Sequence, residues 1–81
     1  MNIIHLSDTA KSVLNEIDYN ILMKNINNQN LSLARIFIED KIDDVIFSTR
    51  LNSISYRHDK VLRLQEIDAI ITSEIINKIE T

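Results

Sequence analysis

The sequence predicts an all-α protein, a helical hairpin or three-helix unit, and three observations support this fold class. Apolar residues recur at i, i+3, i+4 and i+7 over most of the chain, the spacing that places side chains on one face of a helix. No glycine is present to mark a tight β-hairpin turn. The 81 residues suffice for one domain, and 44% of them are hydrophobic.

The first helix is expected over residues 8–24. Ser7 and Asp8 stand where side-chain oxygens can cap the free N–H groups of its first turn. The following run, 25–30, is rich in Asn, which tolerates left-handed backbone and competes for backbone hydrogen bonds, so we expect a turn there. The apolar face of this helix consists of Ala10, Val13, Leu14, Ile17, Ile21 and Leu22.

The second helix is expected over residues 31–50, with the acidic block at 39–44 on its charged side. A strand is the alternative, because 35–38 and 45–47 are rich in β-formers. The acidic block between these runs is long for a turn, which favours the helix. The apolar positions of the helix are Leu31, Ala34, Ile38, Ile42, Val45 and Ile46.

The third helix is expected over residues 57–79, where Asp59 can cap its start after the small polar residues of 52–55. Its inward positions are Val61, Leu64, Ile67, Ile71, Ile75 and Ile79. In an alternative reading the second and third helices form one rod, because a 4-3-4-3 apolar spacing continues from Phe47 to Val61. Such a rod would be roughly 70 Å long, too long for the first helix to cover, and would have to dimerise.

The composition excludes several classes of function. Phosphate-binding loops and dinucleotide fingerprints need glycine where the backbone approaches the ligand, and the chain has none. The absence of cysteine excludes disulfide scaffolds, zinc ribbons and thiol nucleophiles. A net charge of -3 differs from the basic footprint of a general nucleic-acid binder. Uncharged runs fall far short of the roughly 20 residues of a membrane span, so we expect a cytoplasmic protein without membrane contact.

The polar residues show no catalytic, cofactor-binding or metal-binding pattern. The acidic block lacks the alternating ligands and the glycine of a calcium loop. His5 and His58 have neither a cysteine nor a second histidine at metal-binding spacing. Ser55, His58 and Asp59 have the residue types of a hydrolase triad, but a triad depends on spatial geometry that sequence neighbours do not imply. We therefore expect no enzymatic activity, no cofactor and no metal.

Self-association is expected, because a domain of this length buries only roughly 60% of the surface that its unfolded chain exposes. The Ile-rich stripe of the last helix is wider than a two-helix seam needs and suits a dimeric helical bundle. Ile17 and Ile21 of the first helix belong to the associating faces. The interface is predicted at Ile38, Ile42, Val45, Leu51, Ile54, Val61, Leu64, Ile67, Ile71 and Ile75.

These features predict a small non-enzymatic interaction module, an adaptor, regulator or chaperone-like factor that binds itself and another protein through an apolar helical face. The alternative is a dimeric DNA-binding transcription regulator. Its phosphate contacts would come from the basic segment of Arg50, Arg57, Lys60 and Arg63.

Val61 and the segment 66–71, Glu-Ile-Asp-Ala-Ile-Ile, resemble the last helix of type III secretion needle subunits. Members of that family are small helical hairpins of similar length. The resemblance covers about eleven residues, and the chain lacks the proline-containing turn of the family. A third hypothesis is therefore a self-assembling filament or secretion-apparatus subunit.

Overall fold

The computed structural model describes the backbone of residues 3–48 and 54–80 and the side chains of residues 3–47 and 59–79. All regular secondary structure in these ranges is helical, which confirms the predicted all-α class. None of the helices, over the part of the chain described, has the length and apolar character needed to cross a bilayer. The four helices are α1 (Ile3–Val13), α2 (Glu16–Asn27), α3 (Leu31–Ser48) and α4 (Ile54–Glu80).

Two helices occupy the segment for which one helix was predicted over residues 8–24. α1 begins at Ile3, and the chain leaves helical geometry at Leu14 and Asn15. Asn15 has extended backbone, and its side-chain oxygen accepts a hydrogen bond of 2.8 Å from the N–H of Asp18. This N-cap satisfies one of the free donors of α2 and starts a new helix at Glu16.

Ser7 and Asp8 do not cap a helix, contrary to the prediction, because α1 starts four residues before Ser7. The Ser7 hydroxyl instead shares a hydrogen bond of 2.6 Å with the hydroxyl of Tyr19. This contact joins α1 to α2 after the chain folds back at Asn15.

The break at Asn15 changes which apolar residues are buried. The buried residues of the first two helices are Leu6, Ala10, Leu22 and Ile26. Ile17 and Ile21, predicted to lie on an associating apolar face together with Ala10 and Val13, are 72% and 41% exposed on α2. A single helix would align these residues with α1, but the restart of the helix gives α2 its own orientation.

The turn between α2 and α3 occupies residues 28–30, within the predicted 25–30. Gln29 adopts the left-handed conformation there, with φ of 64°. The N–H of Asn30 donates to the carbonyl of Asn25 (2.8 Å), and the N–H of Gln29 donates to the carbonyl of Ile26 (3.1 Å). These are the two hydrogen bonds of a Schellman cap, here with glutamine at the position that usually holds glycine.

α3 and α4 pack against each other in antiparallel orientation. Gln29, just before α3, contacts Lys78 near the end of α4, and Arg35 lies 3.5 Å from Asp68. In a continuous rod Arg35 and Asp68 would be about 50 Å apart, so the rod alternative does not describe this chain. Helices were predicted over residues 31–50 and 57–79, and the structure has them over Leu31–Ser48 and Ile54–Glu80. Residues 49–53 lie outside the described ranges.

The helices form a ring of contacts in chain order, since α1 packs on α2, α2 on α3, α3 on α4 and α4 on α1. The 27 residues of α4 span about 40 Å, close to the 44 Å length of the whole molecule. α4 is therefore the longest element of the described fold, and α1 and α3 pack against it while α2 packs on α1 and α3. The core consists of Leu6, Ala10, Leu22, Ile26, Leu31, Ala34, Ile38, Leu64, Ile67 and Ile71.

Candidate interaction surface

The predicted interface residues fall into three groups in the structure. Four are fully buried inside the single chain: Ile38, Leu64, Ile67 and Ile71. Four more are half-buried: Ile42, Val45, Val61 and Ile75. Leu51 and the side chain of Ile54 lie outside the described residues. The first group packs within one chain, so these four side chains are not exposed on the surface of the described chain.

At least one polar side-chain contact joins each pair of neighbouring helices. The contacts are Ser7–Tyr19 for α1 and α2, Asp18–Lys41 for α2 and α3, Arg35–Asp68 for α3 and α4, and His5–Glu66 for α1 and α4. The Asp18–Lys41 pair is 3.1 Å long and mostly buried. Because polar partners meet in one register only, these contacts favour this arrangement of helices over alternatives with the same apolar pattern.

A shallow polar groove runs between α1 and α4, where the His5 ring pairs with the Glu66 carboxylate. Both side chains are about half exposed to solvent. No group of three potential metal ligands occurs among the described residues, here or elsewhere. The remaining groove residues are Asp8, Thr9, Ser12 and Arg63.

A cleft of about 250 Å³ opens where the end of α1 meets α3 and α4. Its walls are apolar apart from Lys41, Asp44 and Lys60. Lys41 is held by Asp18 and also lies 5.3 Å from the centre of the Phe37 ring. The apolar walls are formed by Val13, Leu14, Val45 and Leu64.

The predicted nucleic-acid contacts are only partly visible, because Arg50 and the side chain of Arg57 lie outside the described residues. Lys60 is half-buried in the cleft. Arg63 lies 3.3 Å from Asp59, one helical turn away. Both described members of the basic segment, Lys60 and Arg63, line one small depression together with Asp59.

The surface with the most exposed apolar side chains is the side of α3 and α4 that faces away from α1 and α2. On α4, six residues at alternating spacings of three and four share this side. They are Leu62, Gln65, Ala69, Thr72, Ile76 and Ile79, and none of them is charged. Leu62 and Ile76 are about half exposed, and Ile79 is 78% exposed. Ile79 was predicted to point inward, but it lies past the level of Gln29, where α3 has not yet begun.

α3 contributes a matching line to the same side. Its members, again at spacings of three and four, are Ser32, Ile36, Glu39, Asp43 and Ile46, with Phe47 at the end. Ile36 and Ile46 are about half exposed, and Phe47 is 84% exposed. The Arg35–Asp68 contact places Ile36 near the level of Ala69, and the cleft that Val45 lines together with Lys60 and Leu64 places Ile46 near the level of Leu62. The two lines border what we call the outer groove.

The outer groove carries excess negative charge. Arg35 Nε lies 3.3 Å from Glu39 Oε1 and 3.5 Å from Asp68 Oδ1, across the base of the groove. Asp68 Oδ1 is buried and accepts no hydrogen bond from the described residues, so Arg35 is its charge partner. With Asp43, the described residues of the groove include three carboxylates and one guanidinium, a net charge of -2.

Sequence reasoning missed the outer groove, although its signal is present. The α4 line from Leu62 to Ile79 repeats at heptad spacing and lacks charge over five helical turns. The parallel line through Leu64, Ile67 and Ile71 is richer in isoleucine, so the interface was predicted there. Comparison with protein-family models, with curated proteins and with solved structures finds no match to this chain.

Proposed function

We propose that the protein is a small non-enzymatic interaction module of the cytoplasm, which binds a helix of another protein in the outer groove. The observation that carries the proposal is the uncharged, exposed line from Leu62 to Ile79 on the longest helix. In a chain of which 26% is charged, such a line on the solvent side is typical of a helix that packs against a partner. Its length of about 26 Å suits a partner helix of five turns.

Ordinary surface variation is the competing explanation, since isolated exposed apolar residues are normal in proteins. Two features argue against it. The apolar residues are aligned on both helices, and they lie level with each other across one groove. α3 has apolar residues on its outer side as well as on its core side, a pattern typical of a helix that is covered on both sides.

Photo-crosslinking in cells tests the proposal. A photoreactive residue at Ile76, in the groove, is expected to give one discrete adduct, and the same residue at Ile17, equally apolar but on α2, is expected to give none. Ala69→Arg should abolish the adduct at position 76 because it fills the middle of the groove. Adducts of equal yield at both positions, or an adduct that survives Ala69→Arg, would contradict the proposal.

The predicted homodimer is a second outcome of the same experiment, because an adduct of two identical chains would identify a second copy as the occupant. Light scattering of the purified protein over a concentration series tests this separately. The DNA-binding alternative requires binding to duplex DNA at about 50 mM salt that weakens steeply with added salt and with Arg57→Ala plus Arg63→Ala.

A further inference from the structure

We propose that the occupant of the outer groove is a basic amphipathic helix, one whose apolar stripe is flanked by Lys or Arg. This inference rests on the proposed function and adds the charge of the partner to it. It is argued from the distribution of charge in and around the groove.

The apolar and acidic parts of the groove alternate along α3. Ile36 precedes Glu39, and Asp43 precedes Ile46. A partner helix that packs its apolar stripe on Ile36, Ala69 and Leu62 therefore has carboxylates along its edge on the α3 side. Cationic side chains on that side of the partner would meet these carboxylates, and such charge pairs mainly set specificity and the rate of association.

The described residues of the groove do not neutralise these carboxylates. Arg35 is shared between Glu39 and Asp68, so it offsets one of the two. Asp43 has no ion pair with a described residue. Asp40, one residue after Glu39, is exposed beside the groove and adds a further negative charge. The acidic excess is therefore left for a partner.

A second copy of the chain is a poorer occupant on the same grounds. Two outer grooves facing each other would bring Glu39, Asp43 and Asp68 of one copy toward the same residues of the other. The other basic side chains that the structure describes lie away from the groove. They lie on α1 or α2, line the cleft between α1, α3 and α4, or contact an acidic or amide partner of the same chain. They are Lys11, Lys24, Lys41, Lys60, Arg63 and Lys78.

Three synthetic helical peptides of about 18 residues test the inference. They share one Leu/Ile stripe at heptad spacing and carry Lys, Gln or Glu at all flanking positions. A fourth peptide has the composition of the Lys peptide in scrambled order. Binding to the full-length protein is measured by fluorescence anisotropy at about 50 mM and about 500 mM salt.

The Lys peptide is expected to bind about tenfold more tightly than the Gln peptide at low salt, and this preference should shrink at high salt. The Glu and scrambled peptides should bind at least tenfold more weakly than the Lys peptide. Ile36→Glu should abolish binding of the Lys peptide, whereas Ile17→Glu, the matched change on α2, should leave it unchanged. Circular dichroism checks that both variants remain helical.

Reversal of the groove charge gives an independent test. The double variant Glu39→Lys plus Asp43→Lys is expected to prefer the Glu peptide over the Lys peptide. If the double variant keeps the preference of the parent protein, the inference is wrong even if the Lys peptide binds.

The outcomes separate this inference from the proposed function. Equal binding of the Lys and Gln peptides, lost with Ile36→Glu, would overturn the inference and leave the proposed function standing. Equal loss with Ile17→Glu and Ile36→Glu, or the absence of any peptide binding to a monomeric protein, would overturn both. Self-association that is lost with Ala69→Arg would identify a second copy as the occupant and overturn the inference alone.

Discussion

Gln29 shows what the absence of glycine costs this chain. Its φ of 64° lies in the left-handed region, which is unfavourable for residues with a Cβ atom by roughly 1–2 kcal/mol. The conformation persists because it ends α2 with both hydrogen bonds of the Schellman cap and sends the chain into α3. The Gln29 side chain also contacts Lys78 at the far end of α4.

Gln29→Gly is expected to raise the free energy of unfolding by about 1 kcal/mol, because glycine adopts this conformation without steric strain. The lost contact with Lys78 is at the surface and offsets only a small part of the gain. Urea denaturation followed by circular dichroism measures the difference. Asn27→Gly, two residues earlier in right-handed helix, is the control and should lower stability by a few tenths of a kcal/mol. A loss of stability in Gln29→Gly would show that the side-chain contact outweighs the strain.

Asn15 is the second residue on which the fold depends, because its side chain caps α2 and so separates it from α1. Asn15→Ala is expected to lower the free energy of unfolding by about 1 kcal/mol through loss of the cap. Asn20→Ala, the same substitution at an exposed site inside α2, should be neutral or slightly stabilising. Equal effects of the two variants in urea denaturation would mean that the cap does not stabilise α2.

At the scale of elements, the α3–α4 pair depends on both apolar packing and Arg35. Ile38 on α3 and Leu64, Ile67 and Ile71 on α4 are buried together in the core. Apolar packing by itself tolerates a shift of one helix along the other by a turn. The contact of Arg35 with Asp68 can form in only one register of the two helices. Its loss would leave a buried carboxylate oxygen of Asp68 without its counter-charge.

Arg35→Ala is therefore expected to lower the free energy of unfolding by about 1–3 kcal/mol. The double variant Arg35→Ala plus Asp68→Ala should recover part of this loss, because the unpaired carboxylate is then absent as well. Arg63→Ala removes an exposed pair with Asp59 and is expected to change stability by no more than about 0.5 kcal/mol. If the Arg35 and Arg63 variants were equally stable, the contact of Arg35 with the buried Oδ1 of Asp68 would add no stability beyond that of an exposed ion pair.

At the scale of the whole molecule, one small core must stabilise four helices. Among the residues whose side chains are described, ten buried residues, two of them alanine, form that core. Domains of this size are stable by only a few kcal/mol, so a single cavity in the core removes a large fraction of the total. Half-buried residues, such as Ile42, Val45 and Ile75, pack against this core and are only partly shielded from water.

Ile67→Ala is expected to lower the free energy of unfolding by about 2–5 kcal/mol, enough to leave much of the protein unfolded at room temperature. Ile17→Ala removes the same atoms from an exposed site and should change stability by no more than about 0.5 kcal/mol. Thermal denaturation of the two variants makes the comparison. A destabilised Ile17 variant would mean that this side of α2 is covered in solution.

How much could be predicted from the sequence differs between elements. α3 was predicted closely over its described residues, because its core spacing from Leu31 through Ile38 is regular and a clear turn precedes it. α1 and α2 were not predicted as two helices, because apolar spacing does not distinguish Asn15 from a residue inside one continuous helix. Asn15 with Asp18 three residues later does resemble a capping sequence, and that local signal was available. Of the outer groove, the uncharged line at heptad spacing on α4 could have been read from the sequence, but its exposure could not.

The sequence by itself determined that this chain is helical, because the 3.6-residue apolar period is a local property of the order of residues. Only the tertiary structure decided which apolar line of each helix is buried. α4 carries two such lines, one through Leu64 and Ile71 and one through Leu62 and Ile76, and both satisfy the helical period. The first is buried because α1 and α3 pack against it, and the second remains exposed because no helix of the described chain reaches that side. Burial depends on contacts between elements distant in sequence, which the period within one helix does not encode.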